Sequence, residues 1–242
     1  MNRILFILVV VAACFLGQSC DQDPYFEFKD AGKVYFKYPR KLTSWGTESN
    51  YLVDSVVYSS HGKELHDDKD TLWIKVEIMG ARENFDRQYK VVAVADSSTA
   101  KEGRDFEELL DTYTFHRNVG VDSFPLVINK KAMESVYSRR LLLKLESTDD
   151  LGVAFIEFST LRVMFSIYRL EPNWWNDGFG MLLGDYHPLK YDKVVEVYGS
   201  EEIDIYGSYP YCTYVGNMVK LYFKENEVTD PFTGNRLLCN EN

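Results

Sequence analysis

The sequence predicts a mainly β protein, in which an antiparallel β-sandwich over residues 31–170 precedes a smaller, helix-containing C-terminal module over residues 171–242. One observation is the alternation of apolar and polar residues in short runs, which is typical of half-buried antiparallel strands. Another is the lack of a helical pattern between those runs, which favours a sandwich. A third is the change to helical spacing after the break at Glu171-Pro172.

The strands of the sandwich are predicted by β-branched and aromatic runs that end in turns containing Gly, Asp or Ser. The clearest run is Thr71–Met79, where even-numbered apolar residues take one face and Trp73, Lys75 and Glu77 take the other. The remaining strands are predicted at Val34–Tyr38, Val53–Tyr58, Gln88–Ala95, Val121–Ile128, Arg139–Glu146 and Leu161–Arg169.

The C-terminal module is predicted to contain two helices. Asn173–Gly184 is loop-like, and a turn at Asp185–His187 leads into a helix over Pro188–Val197. A second helix is predicted over Cys212–Lys224, because apolar side chains there recur at spacings of three and four residues and share one helical face. Pro210 suits the first turn of that helix, where a missing N–H breaks no hydrogen bond.

Residues 1–19 predict a lipoprotein signal peptide. Arg3 precedes an apolar run over Ile4–Leu16, which is shorter than the ~20 residues that span a bilayer. The run leads into Gly17-Gln18-Ser19-Cys20, which is similar to a bacterial lipobox. The thiol of Cys20 is therefore the predicted lipidation site, and residues 20–30 form the predicted tether.

Cys14 is the alternative lipidation site, because Val11-Ala12-Ala13 precedes it, but the apolar run before it is shorter. A plain secretory signal and a buried strand are the other interpretations of this segment. Acidic residues after Cys20, at Asp21 and Asp23, resemble the signal that sends Bacteroidota lipoproteins to the outer face of the outer membrane. We therefore expect a protein that is lipid-anchored in the outer membrane and faces the exterior.

The charge and the motifs exclude several classes of function. The chain has 27 Lys and Arg against 37 Asp and Glu, a net charge of −10. Nucleic acid is not an expected partner, because a phosphate-binding surface needs a positive field. There is no Gly-x-Ser-x-Gly elbow, no His-Glu-x-x-His motif and no Walker-type loop. We therefore expect a protein that is not an enzyme, with no cofactor and no catalytic residue.

Two segments contain residue types that can bind metal ions. The acidic run His66–Asp70, together with Glu102 and Asp105, contains oxygen ligands that suit calcium, but it lacks the alternation and the glycine of an EF-hand loop. A solvated hairpin loop is the favoured interpretation. His61, Glu64 and His66 could contribute to a zinc site, but the sequence has no fourth ligand at the standard spacing. The sequence therefore predicts no metal site.

Aromatic residues give the functional lead, because they make up 15% of the chain, with 17 Tyr, 15 Phe and 4 Trp. Flat apolar rings with a polar rim suit contacts with sugar rings. Trp73 lies on the polar face of its strand, and Trp174 and Trp175 lie in a glycine-containing loop, so these three are the predicted ligand-binding residues. Trp45 is a further candidate. The alternative is that these rings pack between the sandwich and the C-terminal module.

Two further cysteines, Cys212 and Cys239, leave two alternatives open. An oxidising exterior favours a disulfide between them, which would fix the C-terminal tail. Two separate buried thiols are the other interpretation.

The segment Thr99-Ala100-Lys101-Glu102-Gly103-Arg104-Asp105-Phe106 resembles the Ala-x-x-Gly-x-Asp-Tyr signature of Calx-β-type sandwich domains, which are Ig-like, with Phe106 in place of the usual Tyr. A glycine turn and an aspartate that caps the loop would place the aromatic ring as a plug at one end of the sandwich. The resemblance implies that Tyr113–Phe115 is a further strand.

The whole chain also resembles an uncharacterised family of Bacteroidota surface lipoproteins, a domain of unknown function, associated with starch-utilisation-type uptake systems. The resemblance rests on the lipobox, on Asp86-Arg87-Gln88-Tyr89 and on the segment from Trp175 to Tyr191. His187-Pro188 stands where that family commonly has Ser, so a role tied to a hydroxyl is not carried over.

That resemblance implies a non-enzymatic lipoprotein, an accessory in glycan or nutrient capture. The alternative is a structural or interaction module that packs against the outer-membrane uptake proteins. A glycosidase-like enzyme is the third interpretation.

Overall fold

Alternating side chains in the N-terminal part of the sequence form strands that bury one face. A computed structural model of the protein describes residues 32–42, 48–62 and 68–240. In these ranges the strands, numbered in chain order, are β1 (Lys33–Phe36), β2 (Arg40–Leu42), β3 (Glu48–Leu52), β4 (Ser55–Ser59), β5 (Lys69–Met79), β6 (Arg87–Ala93), β7 (Tyr113–Phe115), β8 (Val121–Asn129), β9 (Arg139–Glu146), β10 (Gly152–Val153) and β11 (Thr160–Ser166). Every strand predicted from the sequence is present, with ends that differ by a few residues.

Two sheets pack face to face, which confirms the predicted sandwich. One sheet has the strand order β10–β1–β5–β8 and the other β4–β11–β9–β6–β7, while β2 and β3 form a separate hairpin. Inward side chains of both sheets share one core, which includes Phe36, Val76, Phe124, Leu143 and Phe165. Within the described ranges, strand neighbours run antiparallel except for two edge pairs, β1 with β10 and β4 with β11, which run parallel.

The turn at residues 99–106 closes one end of the sandwich in the way its sequence predicts. Gly103 has a φ of +73°, a conformation that side chains disfavour. Asp105 is completely buried, and its carboxylate accepts a hydrogen bond of 2.7 Å from the backbone N–H of Lys101. Phe106 is buried as the plug. The glycine turn and the capping aspartate are therefore confirmed.

Beyond the sandwich, the described residues form three helices, α1 (Gly180–Leu183), α2 (Pro188–Tyr198) and α3 (Tyr209–Glu225). The side chain of His187 caps α2 by accepting a hydrogen bond from the N–H of Leu189. The helix predicted over Cys212–Lys224 is present and begins one turn earlier, with a proline at its first or second position. Among the described residues, no helix has the length and apolar content needed to cross a bilayer.

The segment predicted as a loop, Asn173–Gly184, ends in the short helix α1. Phe179 and Leu183 are buried there, in a second core that they share with Val194 of α2 and with Val215 and Val219 of α3. The local sequence gives little indication of α1, because this short helix is stabilised by packing against α3.

The second core meets the sandwich at Tyr137. The ring of Tyr137 lies edge-on to His187, with ring centroids 5.0 Å apart, and to Phe232 at 4.5 Å. Close by in the chain, Arg169 follows β11 and its Nε atom donates to Asp192 Oδ1 of α2 at 2.8 Å. These contacts hold the helical module against the end of the sandwich.

Candidate functional site

Trp73 lies on the outer face of the β10–β1–β5–β8 sheet, and its side chain is 60% exposed. The alternation of β5 places it there, because Ile74 and Val76 are the inward neighbours and are almost completely buried. Trp73 therefore lies on the outward face of β5, opposite the buried apolar residues, and the structure shows that its ring is exposed. Its neighbour across the β5–β8 ladder is Pro125, so the ring has a rigid apolar residue beside it.

A groove of about 860 Å³ opens beside Trp73. It lies where β1 ends and the chain leaves the sheet toward the β2–β3 hairpin. Its walls combine aromatic side chains with both signs of charge. The aromatic residues are Tyr35, Phe36, Tyr38, Trp73, Phe155 and Phe158, and the charged residues are Lys37, Arg40, Glu48, Lys75 and Glu77.

The aromatic wall of the groove is held by edge-to-face contacts. The ring centroids of Tyr35 and Phe155 are 5.7 Å apart, and those of Tyr38 and Phe158 are 4.9 Å apart. The hydroxyl group of Tyr38 lies against the backbone carbonyls of Glu157 and Thr160, which fixes that ring to the start of β11. The wall is therefore built before any ligand arrives.

Phe155 has a backbone conformation that few non-glycine residues adopt. Its φ is +43° and its ψ is 103°, and the side chain is about half exposed. Such a conformation costs on the order of 1–3 kcal/mol and persists where the surrounding structure imposes it. The contact with Tyr35 keeps the Phe155 ring at the rim of the groove.

The charged residues of the groove are arranged around the same strands. Lys37 pairs with Glu77 at 3.5 Å, and Arg40 pairs with Glu48 at 3.8 Å. Burial raises the pKa of the Tyr35 hydroxyl, with Glu77 adding to the rise, so Tyr35 stays a hydrogen-bond donor at neutral pH. The groove therefore offers hydrogen-bond donors and acceptors next to flat apolar rings.

Trp175 is not exposed, so the prediction that it binds a ligand, which was based on its position in a glycine-containing loop, is wrong. Its side chain is 0% exposed, and the indole N–H donates to the carbonyl of Gly184 at 3.1 Å. Its ring lies edge-on to Tyr186, with centroids 5.2 Å apart. The loop wraps onto the second core, so Trp175 is a packing residue and has no face open to a ligand.

Trp174 is half-buried at the edge of the same core. Its ring lies edge-on to Phe179 and Tyr191, with centroid distances of 6.1 and 5.8 Å. These partners belong to the helical module, so the structure does not bring Trp174 together with Trp73. The candidate site keeps Trp73 alone of the three predicted tryptophans.

The disulfide alternative for Cys212 and Cys239 is corrected by the structure, in which both thiols are free. The Cys212 thiol lies in the first turns of α3, where its Sγ donates to the carbonyl of Asp204. Burial raises the pKa of Cys239, and the charges that act on it are those of Lys190 and Lys220.

Among the side chains considered as calcium ligands, Asp105 and Glu102 are used within the fold, whereas His66 and Asp67 lie outside the described residues. Asp105 is engaged by Arg104, whose Nη2 lies 2.6 Å from Oδ2, and Glu102 accepts a hydrogen bond from the N–H of Leu109. Across residues 32–42, 48–62 and 68–240, no group of three or more His, Cys, Asp or Glu side chains is placed to hold a metal ion.

Several predicted features lie outside the described residues: the signal peptide, the lipidation site Cys20 with its alternative Cys14, the tether, Trp45, and the Glu64 and His66 side chains of the zinc pattern. Sequence reasoning missed the aromatic wall of the groove. Tyr35 and Tyr38 flank the end of β1, and Phe155 and Phe158 flank a turn, so no regular spacing singles them out. The available signal was the concentration of aromatic residues in two short segments.

Structural comparison finds partial likenesses in solved proteins. The crystal structure of CBD12 from CALX1.2 has 13% identity and a TM-score of 0.36, with 55% of this chain and 43% of that chain covered. A candidate carbohydrate-binding protein of Bacteroides ovatus has 10% identity and a TM-score of 0.37, with 55% and 36% covered. A Bacteroides ovatus protein of unknown function has 14% identity and a TM-score of 0.36, with 55% and 43% covered. The aligned region therefore spans about two fifths of the length of these proteins.

No curated protein matches this chain. One family model matches residues 28–200, which include the sandwich, the groove beside Trp73 and helices α1 and α2. That match extends over more than half of the sequence. The chain belongs to the family described as Domain of unknown function (DUF4843).

Proposed function

We propose that the protein is a non-enzymatic binding protein that captures glycans in the groove beside Trp73. The observation that carries this proposal is Trp73 itself, an indole ring 60% exposed on the outer face of a sheet and beside a preformed aromatic wall. A large ring in that position gains little from folding, whereas an apolar ligand face would bury it.

The groove can recognise a sugar through two kinds of contact. The C–H face of a pyranose ring would stack on the indole of Trp73, with the Tyr35 and Phe155 rings at the side. Sugar hydroxyl groups would donate to the carboxylates of Glu77 and Glu48 and accept from the side chains that pair with them. This combination of apolar walls with a few directional polar groups is typical of small-molecule sites.

We also propose that a lipid on Cys20 holds this body at the outer membrane, facing the exterior, where glycans arrive. The support is the signal-like sequence of residues 1–19 and the acidic residues that follow Cys20. In that setting the protein would be an accessory to outer-membrane uptake proteins. A Cys20→Ser variant that still carries labelled lipid would move the attachment to Cys14.

The glycan proposal is tested with the full chain in detergent on a polysaccharide array, followed by titration calorimetry on any positive glycan. We expect Trp73→Ala to weaken binding by about tenfold or more, the loss that one stacked ring with its buried area supplies. The control is Tyr214→Ala, which removes an exposed ring of α3 and should leave binding unchanged. The proposal would be contradicted if wild type bound no polysaccharide on the array, or if Trp73→Ala and Tyr214→Ala bound equally well.

A second candidate function, an interaction module in an uptake complex, is favoured by a different surface. Helix α3 exposes Tyr211, Tyr214, Met218 and Leu221, which follow one another at spacings of three and four residues and so form one stripe. Tyr and Met are enriched where proteins meet. A photo-crosslinking residue at position 214 tests this role in intact cells. Crosslinks to an outer-membrane transporter would support it, and a protein recovered only uncrosslinked would count against it.

A further inference from the structure

We propose that the groove selects acidic saccharides, whose sugar rings carry carboxylate or sulfate groups. This inference rests on the proposed glycan function and names the substrate class of the same site. It is carried by Lys75, an exposed cation on the same face of β5 as Trp73.

Lys75 is placed to contact a ligand that stacks on Trp73. The two residues are two positions apart in β5, so their side chains leave the same face about 7 Å apart along the strand. That separation is close to the width of one sugar ring. Lys75 also lines the groove, together with Trp73 and Lys37.

Among the residues that the structure describes, Lys75 forms no ion pair with a carboxylate. Lys37 lies directly across the sheet from it, because the N–H of Lys37 donates to the carbonyl of Lys75 at 3.0 Å. Like charges that face each other across two strands destabilise a sheet. Glu77 pairs with Lys37, and among the described residues no carboxylate lies within ion-pair distance of Lys75. An anionic ligand group is the partner that this arrangement lacks.

The local charge of the groove is opposite to that of the whole protein. Counted over the described residues, the groove has three cations, Lys37, Arg40 and Lys75, against two carboxylates, Glu48 and Glu77. The whole chain has a net charge of −10 and would repel an acidic polymer at long range. A locally positive groove is therefore the place where such a polymer can be held.

The test compares matched acidic and neutral oligosaccharides by calorimetry, using the full chain in detergent. One pair is oligogalacturonate and its methyl ester, and the other is a keratan sulfate oligosaccharide, which has no uronate, and its desulfated form. We expect wild type to bind one acidic member about three- to fivefold more tightly than its neutral form, the range that one exposed ion pair supplies. The preference should disappear at high salt. The two pairs separate the carboxylate from the sulfate.

Three variants locate the preference. Lys75→Gln should bind acidic and neutral forms equally, whereas Lys75→Arg should keep the preference. Lys144→Gln is the matched control, since Lys144 is an exposed strand lysine in the other sheet. Equal binding of acidic and neutral forms by wild type, or a preference that persists in Lys75→Gln, would overturn the inference and leave the glycan function standing. If Trp73→Ala bound every sugar as tightly as wild type does, both this inference and the proposed glycan function would be overturned.

Discussion

Trp73 departs from the pattern of its own strand. A strand position that faces water normally has a polar side chain, as Lys75 and Glu77 show on the same face. The alternation of Thr71–Met79 was enough to place Trp73 on the polar face of its strand. Trp175 lies in a segment without alternation, and no feature of that segment indicated that its ring is completely buried. One tryptophan is therefore exposed and the other is buried, and the sequence distinguishes them only through the strand alternation around Trp73.

His187 makes the stability of the protein depend on pH. Burial lowers the pKa of His187, although the nearby carboxylate of Asp230 opposes that change. In addition, Nδ1 accepts a hydrogen bond from the N–H of Leu189, which requires that nitrogen to be unprotonated. The folded protein therefore takes up this proton at a lower pH than the unfolded chain does. Stability from His187 is present above its ordinary pKa of about 6.5 and is lost as the pH falls below it.

The measurement is urea unfolding of wild type and His187→Asn between pH 7.5 and 5. Asparagine is a good helix N-cap and does not titrate, so it should keep most of the cap. We expect the free energy of unfolding of wild type to fall more steeply with acidification than that of the variant. Asp230, whose pKa is lowered to about 2, stays ionised over this range. Parallel pH profiles for the two proteins would show that His187 is not the group responsible.

At the scale of elements, the strands were predictable and their pairing was not. Each long strand is specified by its own alternation, but the parallel pair of β4 and β11 joins residues about a hundred positions apart, which no local pattern reports. The groove, too, is formed by residues that lie far apart in the sequence. Tyr35 comes from β1, whereas Phe155 comes from the turn after β10, and tertiary packing alone brings them to 5.7 Å.

The turn at residues 99–106 is the element most sensitive to a single substitution. Burial alone would raise the pKa of Asp105, but hydrogen bonds from Arg104 and from the N–H of Lys101 outweigh it and leave the pKa lowered. Arg139 also approaches this carboxylate, at 3.6 Å. Removing the carboxylate would leave partly buried guanidinium charge and a backbone N–H without an acceptor.

We expect Asp105→Ala to reduce the free energy of unfolding by about 1–3 kcal/mol, the usual cost of leaving a buried backbone N–H without its acceptor. Urea unfolding followed by circular dichroism measures the change. Asp105→Asn keeps an acceptor for the N–H of Lys101, so its free energy of unfolding should lie between those of wild type and the alanine variant. The control is Asp111→Ala, an exposed aspartate in the following loop, which should be near neutral. An alanine variant as stable as this control would contradict the structural role of Asp105.

For the whole molecule, two cores share one chain, and the family match ends inside the second of them. The match stops at residue 200, after α2 and before α3. Yet Trp175, Phe179 and Val194 are buried together with residues of α3. The sandwich has its own core, whereas α1 and α2 depend on a helix beyond the matched region.

A chain that ends at residue 200 should therefore keep a folded sandwich and lose the helical module. Without Val215 and Val219 of α3, the ring of Trp175 would be exposed to water, so its fluorescence should shift to longer wavelength and the helical circular dichroism signal should fall. Two substitutions in the full chain separate this effect from truncation itself. Val219→Asp places a charge in the second core and should reproduce the red shift, whereas Met218→Asp, on the exposed face of the same helix, should not. A truncated chain that retains the emission of wild type would show that α1 and α2 fold without α3.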